Sequence, residues 1–300
     1  MWWDDYFFGE RMLRYWFGDL TGGSCIPFQS RDPETIARRL DQLRREAAGT
    51  TAGIPLRWEM AHDCGFIGSR GEYLQILRDA CAIHAEAHLA EEAGRPDREL
   101  VQMVRMLDQV DESANLLTER ALEWYAALDP AFTRKYRRIR GPQAVSLVRE
   151  SGNPLLLEMA AGIDRLVGMR VSLAEEIHAR AATLLPNSSA LVGGLVAARL
   201  LSAAGDLPGL ARMPSSAIQV LGARAALFSH LRTGTPPPKH GIIYQHQRVH
   251  RARRAARGRV ARVLAAKLAI AARIDWYRGQ PDPAFLASSQ EAVDRAGGGR

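Results

Sequence analysis

The segment TGTPPPKHGIIYQHQRVHR, residues 233–251, concentrates groups able to grip a nucleic acid. Lys239 and Arg248 are suited to phosphates, and Tyr244 and His246 offer rings on which unpaired bases stack. Pro236, Pro237 and Pro238 restrict the loop, so presenting Lys239 and His240 to a ligand costs less conformational entropy. Downstream, RGRVARVLAAKLAIAARID sets Arg257, Arg259, Arg262 and Lys267 around a helix whose expected packing face is Val260, Val263, Leu264, Leu268, Ile270 and Ala271. Packing on one side and cations on the other is what recognition of a nucleic-acid backbone requires. Between Asp206 and Arg278 stand 14 Lys and Arg against 2 Asp and Glu, a local charge of +12. The whole chain carries +7, so the remainder sums to −5. A cationic module on a mildly acidic body implies a polyanionic partner, RNA or DNA, held by one domain.

Other chemistry finds less support. His230, His240, His246 and His250 match no established metal-ligand spacing, and no Cys or carboxylate stands among them, so neither a metal nor a cofactor is expected. Phosphate-binding GxGxxG and P-loop patterns and the GxSxG nucleophile turn are absent. A hydrolase acting on nucleic acid through the histidine-rich loop is the competing reading, and it demands metal dependence and turnover. Asp275 is expected to pair with a nearby arginine rather than to act as a base. Cys25, Cys64 and Cys81 are odd in number and widely spaced, so the sequence suggests no disulfide framework and a reducing, cytoplasmic setting. The start, MWWDDYFFGERM, carries acids too early for a signal peptide. No apolar run reaches the roughly 18 residues of a transmembrane helix, so no membrane partner is expected.

These groups need elements to hold them. Ala, Leu and Arg dominate and the chain reads as mainly α. Short strands are expected in WWDDYFF and MLRYWFG, ending at Gly18 and the turn Thr21-Gly22-Gly23, then a helix from Asp32-Pro33 to about Ala48. Another starts at Ser69 and stops at Gly94 and Pro96. Leu100, Met103, Leu107, Val110, Ala114, Leu117, Ala121, Trp124 and Leu128 alternate spacings of three and four without a break, a heptad seam. That helix, Asp97 to Leu128, is about 48 Å long at 1.5 Å per residue. A basic connector, TRKYRRIRGPQ, leads to a second long helix from about Leu155 to Leu185, and the pair reads as an antiparallel hairpin. Pro186 ends it; Asn187 or Ser188 caps ALVGGLVAARLLSAAG, which closes at Gly205. Short helices follow at Asp206, Pro214 and Ala223, and a last helix begins near Arg251. The tail after Arg278 is expected to fray.

Residues 186 to 278 resemble the Nop domain of the scaffold protein of archaeal box C/D guide ribonucleoproteins. The resemblance rests on PNSSALVGGLVAARLL, MPSSAIQVLGARAALFSHLRTGTPPPKHGIIYQHQ and RGRVARVLAAKLAIAARID, and extends upstream through GFIGSRGEYLQILRDA and VRMLDQVDESANLLTERALEWY. It implies a small α+β N-terminal domain (1–95) that docks a fibrillarin-type methyltransferase. It further implies a coiled-coil hairpin (96–185) that self-associates, an all-helical Nop domain (186–278) and a flexible tail (279–300). The Nop domain would bind a kink-turn guide RNA together with the small protein already on that kink-turn, and the scaffold itself would be noncatalytic. By resemblance Lys239, His240, Arg248, Arg257, Arg259, Arg262 and Lys267 face RNA. Gln219, Gly222, Ala223 and Arg224 form the junction between RNA and the kink-turn protein. Leu107, Val110, Ala114, Leu117, Ala121 and Trp124 form the homodimer seam. A splicing-type scaffold is the neighbouring alternative, disfavoured by the small size and the lack of low-complexity tails. Three places differ from the family: it reads Gly-Ala-Glu-Lys where this chain has Gly222-Ala223-Arg224-Ala225, the N-terminal domain is short, and the hairpin tip between Tyr136 and Leu155 is reduced.

Overall fold

The computed structural model describes residues 13–21, 23–46, 57–129 and 142–298. WWDDYFF and most of the connector TRKYRRIRGPQ lie outside them. The chain divides at Gly94 and Arg95 into two compact units.

The first unit pairs three short strands in a meander: β1 (Leu13–Tyr15), β2 (Gly18–Thr21) and β3 (Ser24–Pro27), with Leu13 opposite Leu20 and Leu20 opposite Cys25. Trp16 and Phe17, in the β1–β2 turn, are buried with Ile36 of α1 (Pro33–Glu46), Phe66, and Tyr73 of α3 (Arg70–Ala93). Ser69 caps α3 by accepting from the Glu72 amide, as its sequence position implies. A short helix, α2 (Trp58–Asp63), was not expected. Its end carries Cys64, which is disulfide-bonded to Cys25 of β3 with Cα atoms 5.2 Å apart. This overturns the expectation of no disulfide: the two cysteines are far apart in sequence, but the meander brings β3 onto α2.

The second unit is built on α4 (Pro96–Leu128) and α6 (Pro154–Leu184), antiparallel, with Glu99 paired to Arg180 and Asp111 to Arg170. An unexpected helix, α5 (Pro142–Glu150), closes the tip by burying Val145 and Val148 with Ala121, Leu156 and Ile163. The base of the hairpin shares one core with everything downstream. Leu100, Leu107, Ile177 and Leu185 pack with Leu200, Ile218, Leu264 and Leu268, so no boundary falls at residue 186. Pro186 opens α7 (Pro186–Val192), and Gly193, at φ 85°, breaks what looked like one helix into α7 and α8 (Gly194–Ala204). Then come α9 (Leu207–Arg212), α10 (Ser215–Val220), α11 (Arg224–Thr233), a 3-10 turn (Ile242–Gln245) and α12 (Gln247–His250). The long α13 (Arg257–Tyr277) starts six residues later than expected.

Three expectations fail here for physical reasons. Asn187 and Ser188 do not cap α7. The buried Asp275 carboxylate does, accepting from both their backbone amides at 2.8 and 3.0 Å and from the Asn187 side chain. Asp275 therefore has a helix N-terminus for a partner, not an arginine. Nor is the stretch after Arg278 a frayed tail: α14 (Pro283–Gly297), capped by Asp282, buries Ser289, Val293 and Ala296 and packs along α13.

A second buried acid ties the hairpin to the module. Asp97, in the first turn of α4, accepts from the Leu207 amide at the start of α9 and from Arg95. Burial opposes its ionisation, but the Leu207 amide and the Arg95 guanidinium outweigh it and hold the carboxyl below its ordinary value.

Candidate nucleic-acid interface

The loop that carries Lys239 and His240 is pinned against the segment 219–222. Gln219 donates its side-chain amide to the Lys239 carbonyl at 2.9 Å. The Gly241 amide returns a bond to the Gln219 carbonyl, and the Ile242 amide donates to the Leu221 carbonyl. Two glycines permit the crossing. A Cβ on Gly241 would stand 1.9 Å from the Leu221 oxygen, and one on Gly222, at φ 86°, would stand 2.6 Å from the Ile242 side chain. The predicted junction residues Gln219 and Gly222 thus lie against the predicted RNA residues Lys239 and His240. Ala223 is the residue before α11, and Arg224, its first helical residue, is exposed beside a cleft of about 400 Å³ lined also by Asp108, Arg199 and Gln245.

Behind the loop lies a stack of rings. His240 lies on Tyr244 with centroids 4.3 Å apart and planes 12° apart, and the Arg257 guanidinium sits 5.2 Å from the Tyr244 centroid. Arg257 also donates to the His250 carbonyl at 3.2 Å. Tyr244, expected to receive bases, is already covered by the protein's own groups, and Arg257 is held in the stack. Burial, then the nearby charge of Arg257, keeps His240 below the usual imidazole value; burial, then Arg248, does the same for His246. In both, the surroundings disfavour the charged imidazolium. The Lys239 stem runs over Gly258 at the start of α13, where no acid occupies the first turn and no side chain caps the helix.

The other predicted cations separate into two kinds. Arg248 pairs with Asp294 and donates to the Gln290 carbonyl, and Arg259 donates to the Ala296 carbonyl, so both fasten α14. Arg262 is exposed and Lys267 half-buried, and neither has an ion pair among the described residues. Lys267 stands about 15 Å along the helix axis from Arg257, away from the loop. Sequence reasoning passed over Arg251, Arg253 and Arg254, which occupy the exposed bend before α13 with no ion pair among the described residues. Their signal is the run RARR, which reads as the start of a helix but forms the bend before it. The resulting set of exposed cations, Arg224, Lys239, Arg251, Arg253, Arg254 and Arg262, has no ion pair among the described residues.

The four histidines do not converge. His230 contacts the Thr235 carbonyl, His240 lies on Tyr244, and among the described residues no three His, Cys, Asp or Glu are grouped to hold a metal. No described helix is long and apolar enough to cross a membrane.

The expected dimer seam is occupied within the chain. Leu107, Val110, Ala114 and Ala121 are buried, Leu117 is partly so, and the partner they face is α6 of the same hairpin; Trp124 stays 39% exposed. A heptad seam in an antiparallel hairpin is satisfied by its own return helix, so these residues are not free for a second copy. Apolar side chains are left outside on both helices: Met106, Leu116 and Leu128 on α4, and on α6 Leu155, Met159 and Met169, which with half-buried Leu166 form a row at spacings of four, seven and three.

Comparison with known proteins accords with this architecture. A family model described as a snoRNA binding domain, fibrillarin (Nop), matches residues 148–296, which includes α14. An uncharacterized NOP5 family protein of Methanocaldococcus jannaschii is 34% identical, over 81% of this chain and 70% of that protein. Human nucleolar protein 56 is 28% identical over 70% of this chain but 42% of its own length, and nucleolar protein 58 of Schizosaccharomyces pombe 31% over 60% and 42%. This chain thus spans less than half of these nucleolar proteins. In the crystal structure of a fibrillarin/Nop5p complex, one chain superposes with a TM-score of 0.52 at 28% identity, covering 95% of this chain and all of that one. With a Nop domain, a mainly helical fold and these relatives, the chain belongs to the NOP5 family of Nop-domain proteins.

Proposed function

We propose that this chain is the noncatalytic scaffold of a box C/D-type guide ribonucleoprotein. Its second unit takes a kink-turn guide RNA together with the protein bound to that kink-turn. Its first unit docks a fibrillarin-type methyltransferase, which methylates ribose 2′-hydroxyls at sites chosen by guide pairing. The observation that carries this reading is the pairing of the Gln219–Gly222 segment with the Lys239 loop, accompanied by exposed cations at Arg224 and in the bend at Arg251–Arg254. Loop and helix starts are locked there by backbone bonds, and the cations are exposed with no ion pair among the described residues. Protein and RNA contacts fall side by side on that surface: α11 has no buried residue and exposes Phe228 and Leu231 next to the cations. Such a helix suits a partner that arrives already bound to RNA. The solved relative, a fibrillarin/Nop5p complex, supports the methyltransferase assignment.

A gel shift tests it. A kink-turn RNA alone, and the same RNA with a kink-turn-binding protein, are titrated with this chain. A supershift that needs the protein supports the scaffold. Equal binding to any RNA, with or without that protein, would reduce the chain to a general basic RNA binder. Self-association is read separately. The α6 row Leu155, Met159, Leu166 and Met169 is the face for a second copy, so Met159→Asp with Met169→Asp should convert a dimer to a monomer in light scattering. A dimer that persists would place the contact elsewhere.

A further inference from the structure

Helix α13 carries an exposed stripe that leaves the interface at Arg262 and runs on toward the helix C-terminus. Arg262, Ala266, Ile270, Arg273 and Tyr277 recur at spacings of four, four, three and four, which sets them within one narrow stripe of the helix. The burial pattern agrees: four of the five are exposed and Ala266 is half-buried, while Val260, Leu264, Leu268 and Ala272 turn inward. The stripe is about 22 Å long from Arg262 to Tyr277. It ends in Tyr277, 76% exposed, with Trp276 beside it at 42% and their rings 6.5 Å apart, edge to face. Large aromatic rings left in water at the end of a cationic stripe are unusual for a surface that faces solvent alone.

The charge around the stripe is one-sided. Asp275, the only acid on α13, is buried and consumed at the α7 N-terminus. Asp282, just beyond the helix, pairs with Arg278 and caps α14. Arg273 uses its Nε on the Ala211 carbonyl at 3.2 Å and remains exposed. The stripe therefore offers cations at two heights and stacking rings at one end, with no free carboxylate on α13 to repel a phosphate. That is the combination by which proteins hold unpaired strands: charge tracks the backbone, and a ring accepts the face of any base. A duplex would meet the cations but leave the rings unused.

We propose that the exposed stripe of α13, running from Arg262 through Ile270 and Arg273 to Trp276 and Tyr277, is a track for single-stranded RNA that extends beyond the surface around Lys239 and the Arg251–Arg254 bend. The proposal rests on the reading that this unit binds RNA and adds where an unpaired extension of that RNA runs. Binding of a single strand is sequence-tolerant and strongly salt-dependent.

The test uses the full chain and two probes: a labelled uridine 12-mer, and a kink-turn RNA with its kink-turn-binding protein. The 12-mer affinity is measured by fluorescence anisotropy at low salt. The Trp276→Ala, Tyr277→Ala double variant should weaken 12-mer binding by about 5- to 150-fold, the range for losing one stacked base. Tyr277→Phe keeps the ring and should restore most of the single Tyr277→Ala loss. Neither change should alter the kink-turn supershift or the thermal melt, since both side chains are largely outside the core. Unchanged 12-mer affinity in the double variant, or no 12-mer binding by the unaltered chain, would overturn the track and leave the rings to a protein partner. Loss of the supershift in the unaltered chain would instead remove the scaffold reading, while the 12-mer result still decides the stripe.

Discussion

Consider replacing Arg251, Arg253 and Arg254 together by Gln. Six cations of the interface, Arg224, Lys239, Arg251, Arg253, Arg254 and Arg262, have no ion pair among the described residues. Each phosphate neutralised releases counterions, with a slope in log affinity against log salt of about −0.7 to −0.9. Six contacts give a slope of about −4 to −5, so affinity should fall roughly 10³-fold between 50 and 200 mM salt. The triple variant keeps three contacts. Its slope should drop to about −2 to −3, and the same salt step should cost it only roughly 20- to 40-fold. The matched control is Arg248→Gln, whose guanidinium is committed to Asp294 and the Gln290 carbonyl. That change should leave the salt slope within about half a unit and instead lower the melting temperature by loosening α14. The assay is anisotropy on a kink-turn RNA carrying its kink-turn-binding protein, across a salt series. If the triple variant keeps the full slope, or Arg248→Gln flattens it as much as the triple, then sorting arginines by their intramolecular partners is wrong.

Three further outcomes follow from the same geometry. Gly241→Ala would drive a Cβ into the Leu221 oxygen, so the pairing of 219–222 with 239–242 should come apart, and the kink-turn supershift should weaken at least tenfold while circular dichroism still reports a helical fold. Asp97→Ala should destabilise the second unit by about 2–4 kcal/mol in urea melts, the range for removing one side of a buried, hydrogen-bonded charge. Because the folded-state value of Asp97 is lowered, its contribution is full above the ordinary Asp value of about 3.9 and is lost as pH falls through the lower folded value; Asp97→Asn should remove that part of the acid transition. Reducing the Cys25–Cys64 bond reopens a loop of 39 residues, which by chain entropy is worth up to about 4 kcal/mol, so Cys25→Ser should lower only the first unit's melting transition; an unaffected transition would show that the aromatic core holds α2 unaided.

What could be read in advance depended on how local each feature is. The two long helices of the hairpin announce themselves, because a seam repeating over four heptads leaves one face that must be covered, and α3 is marked by Ser69 and Glu72 at its start. The cover for the seam was legible too, yet its assignment to a second copy was wrong: a return helix in the same chain is the nearer partner. Features that join distant residues stayed hidden. Nothing near Arg248 signals that Asp294 will neutralise it, nothing near Asn187 points to Asp275, and nothing near Cys25 singles out Cys64 over Cys81. Lys239 stands out by its charge in a proline-stiffened loop and Gly222 follows from the resemblance, but their meeting depends on two glycines in separate segments. Helix α14 is hidden for a different reason: the glycine-rich RAGGGR that follows its core signals fraying, while the helix is held by Val293 and Ala296, whose burial depends on α13.

The two acids of the basic module, Asp206 and Asp275, are both occupied with helix starts, one capping α9 by accepting from the Gly209 amide and the other capping α7. Surface charge and fold are therefore set by different residues in this region. Exchanging either Asp for Asn makes the protein more cationic, a change that a charge-based design scheme would rank as favourable for gripping RNA. The prediction from the structure is opposite in practice: such variants should yield less folded protein and no tighter RNA binding. A selection for stronger binders should accordingly leave both acids untouched and draw its gains from neutral exposed positions such as Ala225 and Ala255.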